Sequence, residues 1–270
     1  MRKKVILILV LFLAALGVGL YFANTSESLF FDTAPWAIAA AIVIGIVLGA
    51  ARAMLKGKPE VVSGEVTRHG GGAFLEHWGT ALGIFTLIAS GILLGFLFFP
   101  VFPKTPTEAI SPLNIHFVGL VITLSCGFYF LTDFVLSRNY STLVPNINDI
   151  IGGTLGKYLL RRKWYSEGKY LSSQKSAFLA FALLGAVILG TGAIKVAAHI
   201  WPIQASVYST ATFIHDIFSL LFILLLIVHV LLVVALRHWK ALKSWVTGRI
   251  SEEYVKEEHP VWYDELKKGV

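Results

Sequence analysis

The chain contains one cysteine, Cys126, in 270 residues. A single thiol makes no internal disulfide, no CxxCH haem attachment and no cysteine-ligated iron–sulfur cluster. Cys126 lies in the middle of an apolar stretch and reads as a small buried hydrophobe. Charge is scarce too: 14% of residues are charged and 56% are apolar, against about 25% charged in an ordinary soluble domain. No internal repeat is present, and no polar stretch within these residues is long enough to form a soluble catalytic domain.

Six segments are long and apolar enough to cross a bilayer. They run at roughly 5–22, 35–55, 74–99, 113–135, 176–198 and 210–236. The expected fold is an all-α integral membrane protein of six transmembrane helices, a four-helix bundle preceded by an N-terminal helical hairpin. Residues 1–58 form the hairpin and 59–73 a cytoplasmic, Gly-rich linker. Residues 74–236 form the four-helix domain, with a cytoplasmic loop at 137–175, and 237–270 form a cytoplasmic tail. The first segment follows Arg2, Lys3 and Lys4, the charge pattern of a signal peptide. No clean A-x-A site follows it, so a retained membrane helix is expected. The long loop is expected to carry an amphipathic helix around Ile150–Trp164, with Arg161, Arg162 and Lys163 at the headgroups.

The net charge of +7 invites a nucleic-acid reading, but its distribution excludes one. With the N-terminus inside and six spans threaded, every Lys and Arg falls on the inner side except Lys104 and Lys195. The basic excess is therefore a topology signal that puts both termini in the cytoplasm of a cell whose inner membrane the chain crosses.

Four histidines lie inside the apolar segments: His77, His116, His215 and His229. Histidine is costly in hydrocarbon, so each is a functional candidate. His215 and His229 share one span, fourteen residues apart, which is about 21 Å of helical rise on one face. The topology places His77 near the inner face and His116 near the outer one. The depths therefore pair as His77 with His229 inside and His116 with His215 outside. Two imidazoles at each of two levels is what two bis-histidine b-type haems need from a helical bundle, and the four residues are the expected iron ligands. Gly91, on the face of His77, and Gly127, on the face of His116, would let a porphyrin approach the backbone. A zinc site needs its ligands clustered within about 2 Å of one metal, which two depths forbid.

The other polar groups admit several readings. Glu76, Asp133 and Asp216 could orient imidazoles, relay protons or reach an interface, and Lys195 could pair with Asp216 or a haem propionate. His69 and His259 sit in polar segments and are expected to be solvated. His199 and His238, beside Trp201 and Trp239, read as interfacial anchors.

Particular runs carry a resemblance. They are Glu76-His77-Trp78, Ser90-Gly91, Gly168-Lys169-Tyr170-Leu171-Ser172-Ser173-Gln174-Lys175, Thr191-Gly192, the His215/His229 pair, Gly248-Arg249-Ile250, and His259-Pro260-Val261-Trp262-Tyr263-Asp264-Glu265. From about 68 to 266 the chain resembles the cytochrome b (gamma) subunit of respiratory membrane-bound formate dehydrogenases, which groups with the b-type cytochrome subunits of nickel–iron hydrogenases. The resemblance implies two haems b in series. It also implies an iron–sulfur partner subunit, a molybdenum- or tungsten-containing catalytic subunit, and menaquinone or ubiquinone as acceptor. The quinone pocket would adjoin His229 and the run from Gly168 to Lys175, making Tyr170, Ser172, Ser173, Gln174 and Lys175 its candidate polar groups. Two departures stand out: Leu171 replaces the family's asparagine, and the first two spans are additional to the four-helix core.

The expected role is an electron-transfer subunit of an oxidoreductase complex, with no substrate-oxidising site of its own beyond the quinone site. The rivals are the cytochrome b of a hydrogenase or another respiratory oxidoreductase, and, in another class, a haem-free anchor or transporter. Reporter fusions after Gly57 and Val270 should behave as cytoplasmic and one near Pro106 as external. An external signal at Val270 would reverse the orientation.

Overall fold

The computed structural model describes residues 2–55, 57, 61–138, 140–160, 165–235 and 239–268. Arg161, Arg162, Lys163, Arg237 and His238 lie outside the described residues. Helix α1 spans Arg2–Thr25 and α2 Trp36–Leu55, forming the hairpin. A short strand β1, Val61–Val62, and β2, Glu65–Thr67, follow. The four-helix unit is α3 (Gly71–Leu94), α4 (Pro106–Leu136), α5 (Ser172–Ala197) and α6 (Ala205–Ala235). The tail contains α7 (Trp239–Thr247), β3 (Arg249–Ser251), α8 (Glu252–Glu258) and α9 (Pro260–Lys267). Helices α2 to α6 are each long and apolar enough to span a bilayer, and α1 carries a shorter apolar stretch, Val10–Thr25. The protein is a multi-pass helical membrane bundle. Leucines, isoleucines and valines exposed along α2 and α6, such as Val43, Val47, Leu224 and Leu231, would aggregate in water and suit a lipid-facing surface.

Small residues set how closely the helices approach. On α2, Ala41, Gly45 and Gly49 recur every four residues and are buried. A Cβ at Gly45 would overlap the Ser125 carbonyl, and one at Gly49 the Tyr129 carbonyl, so α2 lies backbone to backbone on α4. Between α3 and α4, Gly79 faces Cys126, Gly83 faces Thr123 and Gly119 faces Leu87. Without a hydrophobic drive between helices in lipid, such approaches supply the packing energy. The α3 helix stops where Gly95 takes φ +81° and its N–H returns to the Gly91 carbonyl at 3.1 Å.

The hairpin is tied at its turn as well. Asn114 of α4, fully buried, accepts from Phe30 N at 2.8 Å and donates to the Ser28 carbonyl at 3.0 Å. His199, at the far end of α5, meets Asp32 at 2.8 Å and stacks on Phe31. This contact gives His199 a partner beyond the interfacial anchoring expected of it.

At the opposite end, linker and tail form one unit. Strands β1, β2 and β3 make an antiparallel sheet, with Val61 opposite Val66 and Val66 opposite Ile250. Val66, Ile250, Tyr254, Val255 and Trp262 make its core. The sheet corrects the expectation for His69 and His259, which are buried, not solvated. Arg68 N and His69 N both donate to the Gly248 carbonyl, at 2.9 and 3.1 Å, which draws His69 under the tail. His259 Nδ1 lies 2.6 Å from the Gly168 carbonyl.

Within the long loop Asp149–Leu159 is a π-helical segment, at the place where a short amphipathic helix was expected; residues 161–164 of that expectation lie outside the described residues. A Val in place of Gly49 should force α2 off α4 and lower the thermal stability of the detergent-solubilised protein by about 1–3 kcal/mol, the usual cost of overpacking. Gly17→Val, with nothing within 4 Å of its added Cβ, should be neutral by the same unfolding measurement.

Candidate functional site

The structure brings the four span histidines into two pairs, each within electrostatic reach. His116 of α4 and His215 of α6 are electrostatic neighbours, and so are His77 of α3 and His229 of α6. The pairs lie at two depths, separated by the helical rise between His215 and His229.

The ring nitrogens of the first pair are assigned by their partners. Ser90, fully buried on α3, donates its hydroxyl to the Thr86 carbonyl at 2.8 Å and lies 3.0 Å from His116 Nδ1. With its one proton on the Thr86 carbonyl, the hydroxyl is free to accept from an Nδ1–H of His116. Thr191 of α5 donates to the Val187 carbonyl at 2.8 Å and accepts from His215 Nδ1 at 3.2 Å. The Ile188 carbonyl, 3.1 Å from the same nitrogen, can only accept. The Ile188 carbonyl makes His215 an Nδ1–H tautomer with its Nε2 lone pair available, and the Ser90 hydroxyl suits the same form of His116, the form required of a metal-ligating histidine.

The second pair is held differently. His77 sits in a π-helical turn, Leu75–Gly79, within α3, a distortion that often marks functional positions. Its ring stacks on Trp245 of α7 at 4.3 Å and meets Trp78 edge-on at 5.1 Å. Trp78 Nε1 donates to the Trp245 carbonyl at 3.0 Å, fixing α7 against α3. His229 rests edge-on against Phe181 at 5.7 Å.

Added Cβ atoms at Gly91 and Gly127 would meet nothing within 4 Å, and one at Gly192 would touch the His215 ring at 3.4 Å. The two sequence-selected glycines thus border open space at the levels of the histidine pairs. Glu76 and Asp133 do not stand alone beside His77: Arg52 Nε of α2 lies 3.3 Å from Glu76 and 3.4 Å from Asp133. Lys195 and Asp216 lie within electrostatic reach of each other near the other pair.

The run from Tyr170 to Lys175 is largely engaged in holding the protein together. Ser172 donates through N and Oγ to Glu167, at 2.8 and 2.7 Å. Gln174 Oε1 accepts from Leu171 N at 3.1 Å and from Arg68 at 3.4 Å, starting α5. Lys175 pairs with Asp149 at 3.2 Å, and Tyr165 donates to the same carboxylate at 2.8 Å. Burial works to raise the Asp149 carboxyl, but the Asn146 N–H, Tyr165 and Lys175 outweigh it and hold the group below the usual carboxylate range. Ser173, beside them, also has a partner. Tyr170 lies under Arg68, 5.6 Å from ring centroid to guanidinium, and 6.0 Å from the His69 ring. Burial pushes its phenol up to about 12, which keeps it a neutral donor. Burial, with Arg68 and Lys169 adding, pushes His69 down to about 2, so it is a neutral imidazole. It stacks on the other face of the Trp245 region at 3.8 Å.

Sequence reasoning gave Ser90 and Thr191 no part in orienting imidazoles, and it missed Trp245 and Arg52 altogether. The available signal for the first two was a hydroxyl directly before a glycine within an apolar span, Ser90 before Gly91 and Thr191 before Gly192.

The sequence model of prokaryotic cytochrome b561 matches residues 68–248. The chain belongs to the prokaryotic cytochrome b561 family. It is also 24% identical over 197 residues to the cytochrome b556(Fdn) subunit of the nitrate-inducible formate dehydrogenase of Escherichia coli K12, covering 72% of this chain and 88% of that subunit. The same figures hold for the corresponding subunits of Escherichia coli O157:H7 and Shigella flexneri. The chain is thus a cytochrome b561-type membrane subunit related to a formate dehydrogenase cytochrome b.

Membership implies haem b, and the residues fit it. A porphyrin supplies four equatorial nitrogens, so two facing histidines with free Nε2 atoms complete its iron. Ser90→Ala and Thr191→Ala should each weaken haem retention by about tenfold or more, the usual effect of losing a ligand's orienting partner. Haem content after graded detergent washing would measure it, with Thr86→Ser as the unaffected comparison.

Proposed function

We propose that this chain is a di-haem b-type subunit that passes electrons from an iron–sulfur partner to membrane quinone. The observation that carries the reading is the engaged Nδ1 of both His116 and His215, held by Ser90 and by Thr191 with the Ile188 carbonyl. An Nδ1 so held leaves Nε2 as the nitrogen available to a metal, which is what an axial ligand needs. Two bound haems b would supply one-electron carriers at the two depths. The protein's part is to ligate, orient and desolvate: His116 and His215 hold one iron, His77 and His229 the other, and the apolar helices exclude water.

Electrons would enter at the His116/His215 level, from an iron–sulfur subunit carrying them from a molybdenum or tungsten catalytic subunit, and leave near His77 and His229. The likeness to a formate dehydrogenase cytochrome subunit over 72% of the chain supports that partnership over a hydrogenase. Quinone would bind at the linker end, and the distribution of basic residues supports that end as the cytoplasmic one. With Ser172, Gln174 and Lys175 held by protein partners, Tyr170 is the group of that run best suited to donate to a quinone carbonyl, because it stays protonated.

His116→Ala and His215→Ala should each remove one haem, and His77→Ala and His229→Ala the other, by haem quantitation and potentiometry. Loss of the same haem from the His77 and His116 variants would refute the pairing. Tyr170→Phe should slow reoxidation of reduced haem by added quinone while leaving haem content unchanged; normal reoxidation would move the quinone site elsewhere.

A further inference from the structure

The matched family region begins at residue 68, so α1 and α2 lie outside it. Yet α2 sends one side chain into the neighbourhood of the His77 pair. Arg52 sits in the last turn of α2, and the close Gly45 and Gly49 contacts with α4 fix where that turn ends. Its Nε lies 3.3 Å from Glu76 and 3.4 Å from Asp133, with side-chain exposures of 19%, 15% and 6% for the three residues. Glu76 directly precedes His77 inside the π turn. The guanidinium also lies where a side chain on Gly72 would be, since a Cβ there would overlap it. Ser137 donates to Asp133 from the side away from Arg52, at 2.9 Å.

Two carboxylates so little exposed would repel each other and pay a large desolvation cost without a cation between them. They would also disfavour a ligand turn held at close range, and would stabilise ferric over ferrous iron nearby. A positive charge does the reverse, because reduction lowers the positive charge at iron. Gly72 leaves the space that the guanidinium fills.

We infer that Arg52 is a positioning residue for the His77 site: it clamps Glu76 and Asp133 against the π turn and raises the reduction potential of a haem held there. This rests on the di-haem reading above and gives the additional hairpin a role in tuning electron transfer. The effect weakens with distance, as a Coulomb interaction does. The His116/His215 level lies about 21 Å further along the bundle.

The test is spectroelectrochemical titration of both haems in the full chain. Arg52→Gln should lower the ferrous-to-ferric ratio of the inner haem at fixed ambient potential by about tenfold, or about 59 mV for a one-electron couple. Asp133→Asn should raise it, and the double variant should return it toward wild type. Arg52→Lys should stay within about threefold of wild type, since charge is kept and only the fork is lost. The other haem should move less than the inner one in each of them. A purely structural role would instead lower haem content or shift both haems together, without opposite signs for the two single variants. An unmoved inner potential in Arg52→Gln, or shifts of the same sign in Arg52→Gln and Asp133→Asn, overturns the inference. If Arg52→Gln fails to fold, Asp133→Asn decides: a rise supports the inference and no change overturns it. A wild-type protein holding one haem overturns the di-haem reading itself, whereas two haems with unmoved potentials overturn this inference alone.

Discussion

Inside hydrocarbon a polar group has no water to turn to, so each one must find its partner in the protein. That constraint organises this bundle. Ser90 satisfies itself on its own helix through Thr86 and then has only lone pairs to offer His116. Thr191 does the same for His215 through Val187. The hydroxyls are thus free to accept from the imidazoles, and the Ile188 carbonyl fixes the tautomer of His215. Asn114 shows the same rule without a functional outcome: its amide closes the hairpin turn through Phe30 and Ser28. Arg52, Glu76 and Asp133 obey it with full charges, at a higher desolvation cost and therefore with less freedom to move.

Helix α4 is the centre of the assembly. The hairpin packs on one of its sides through Gly45 and Gly49, and α3 on another through Gly79, Gly83 and Gly119. It carries His116 and Asp133, so it touches both levels of the site. Helix α6 likewise carries a histidine at each level. Electron transfer between two fixed depths needs little motion, and backbone-to-backbone packing of this kind suppresses motion. The distance between levels is written into the rise of α6 and does not depend on loops.

The end of the bundle near His77 is built by segments far apart in sequence. The linker, the loop after α4 and the tail meet there through the β2–β3 ladder, the Asp149–Lys175 pair and the Lys157 contacts with Glu167 and Glu258. Trp245 from the tail covers His77 and also stacks on His69. The proposed quinone end is therefore a composite in which a change in the tail is felt at the ligand turn.

The amino-acid sequence by itself determined the class of fold and the four histidines, because long apolar segments have one stable use in a bilayer and a histidine within them stands out against Leu, Ile and Val. The spacing of His215 and His229 likewise follows from helix geometry alone. Tertiary structure decided what holds the His116 and His215 rings, since their partners are hydroxyls from two other helices. It also decided that His69 and His259 are buried: two- and three-residue strands leave no periodic signal, and the cover over those rings comes from residues about 90 to 180 positions away. The same reason hid the work of Ser172, Gln174 and Lys175, whose partners lie in the loop and linker, and the arrival of Arg52 between Glu76 and Asp133. Local pattern specifies an element and its buried face, but a side chain's charge or hydrogen-bond partner across helices is fixed only once the helices have packed.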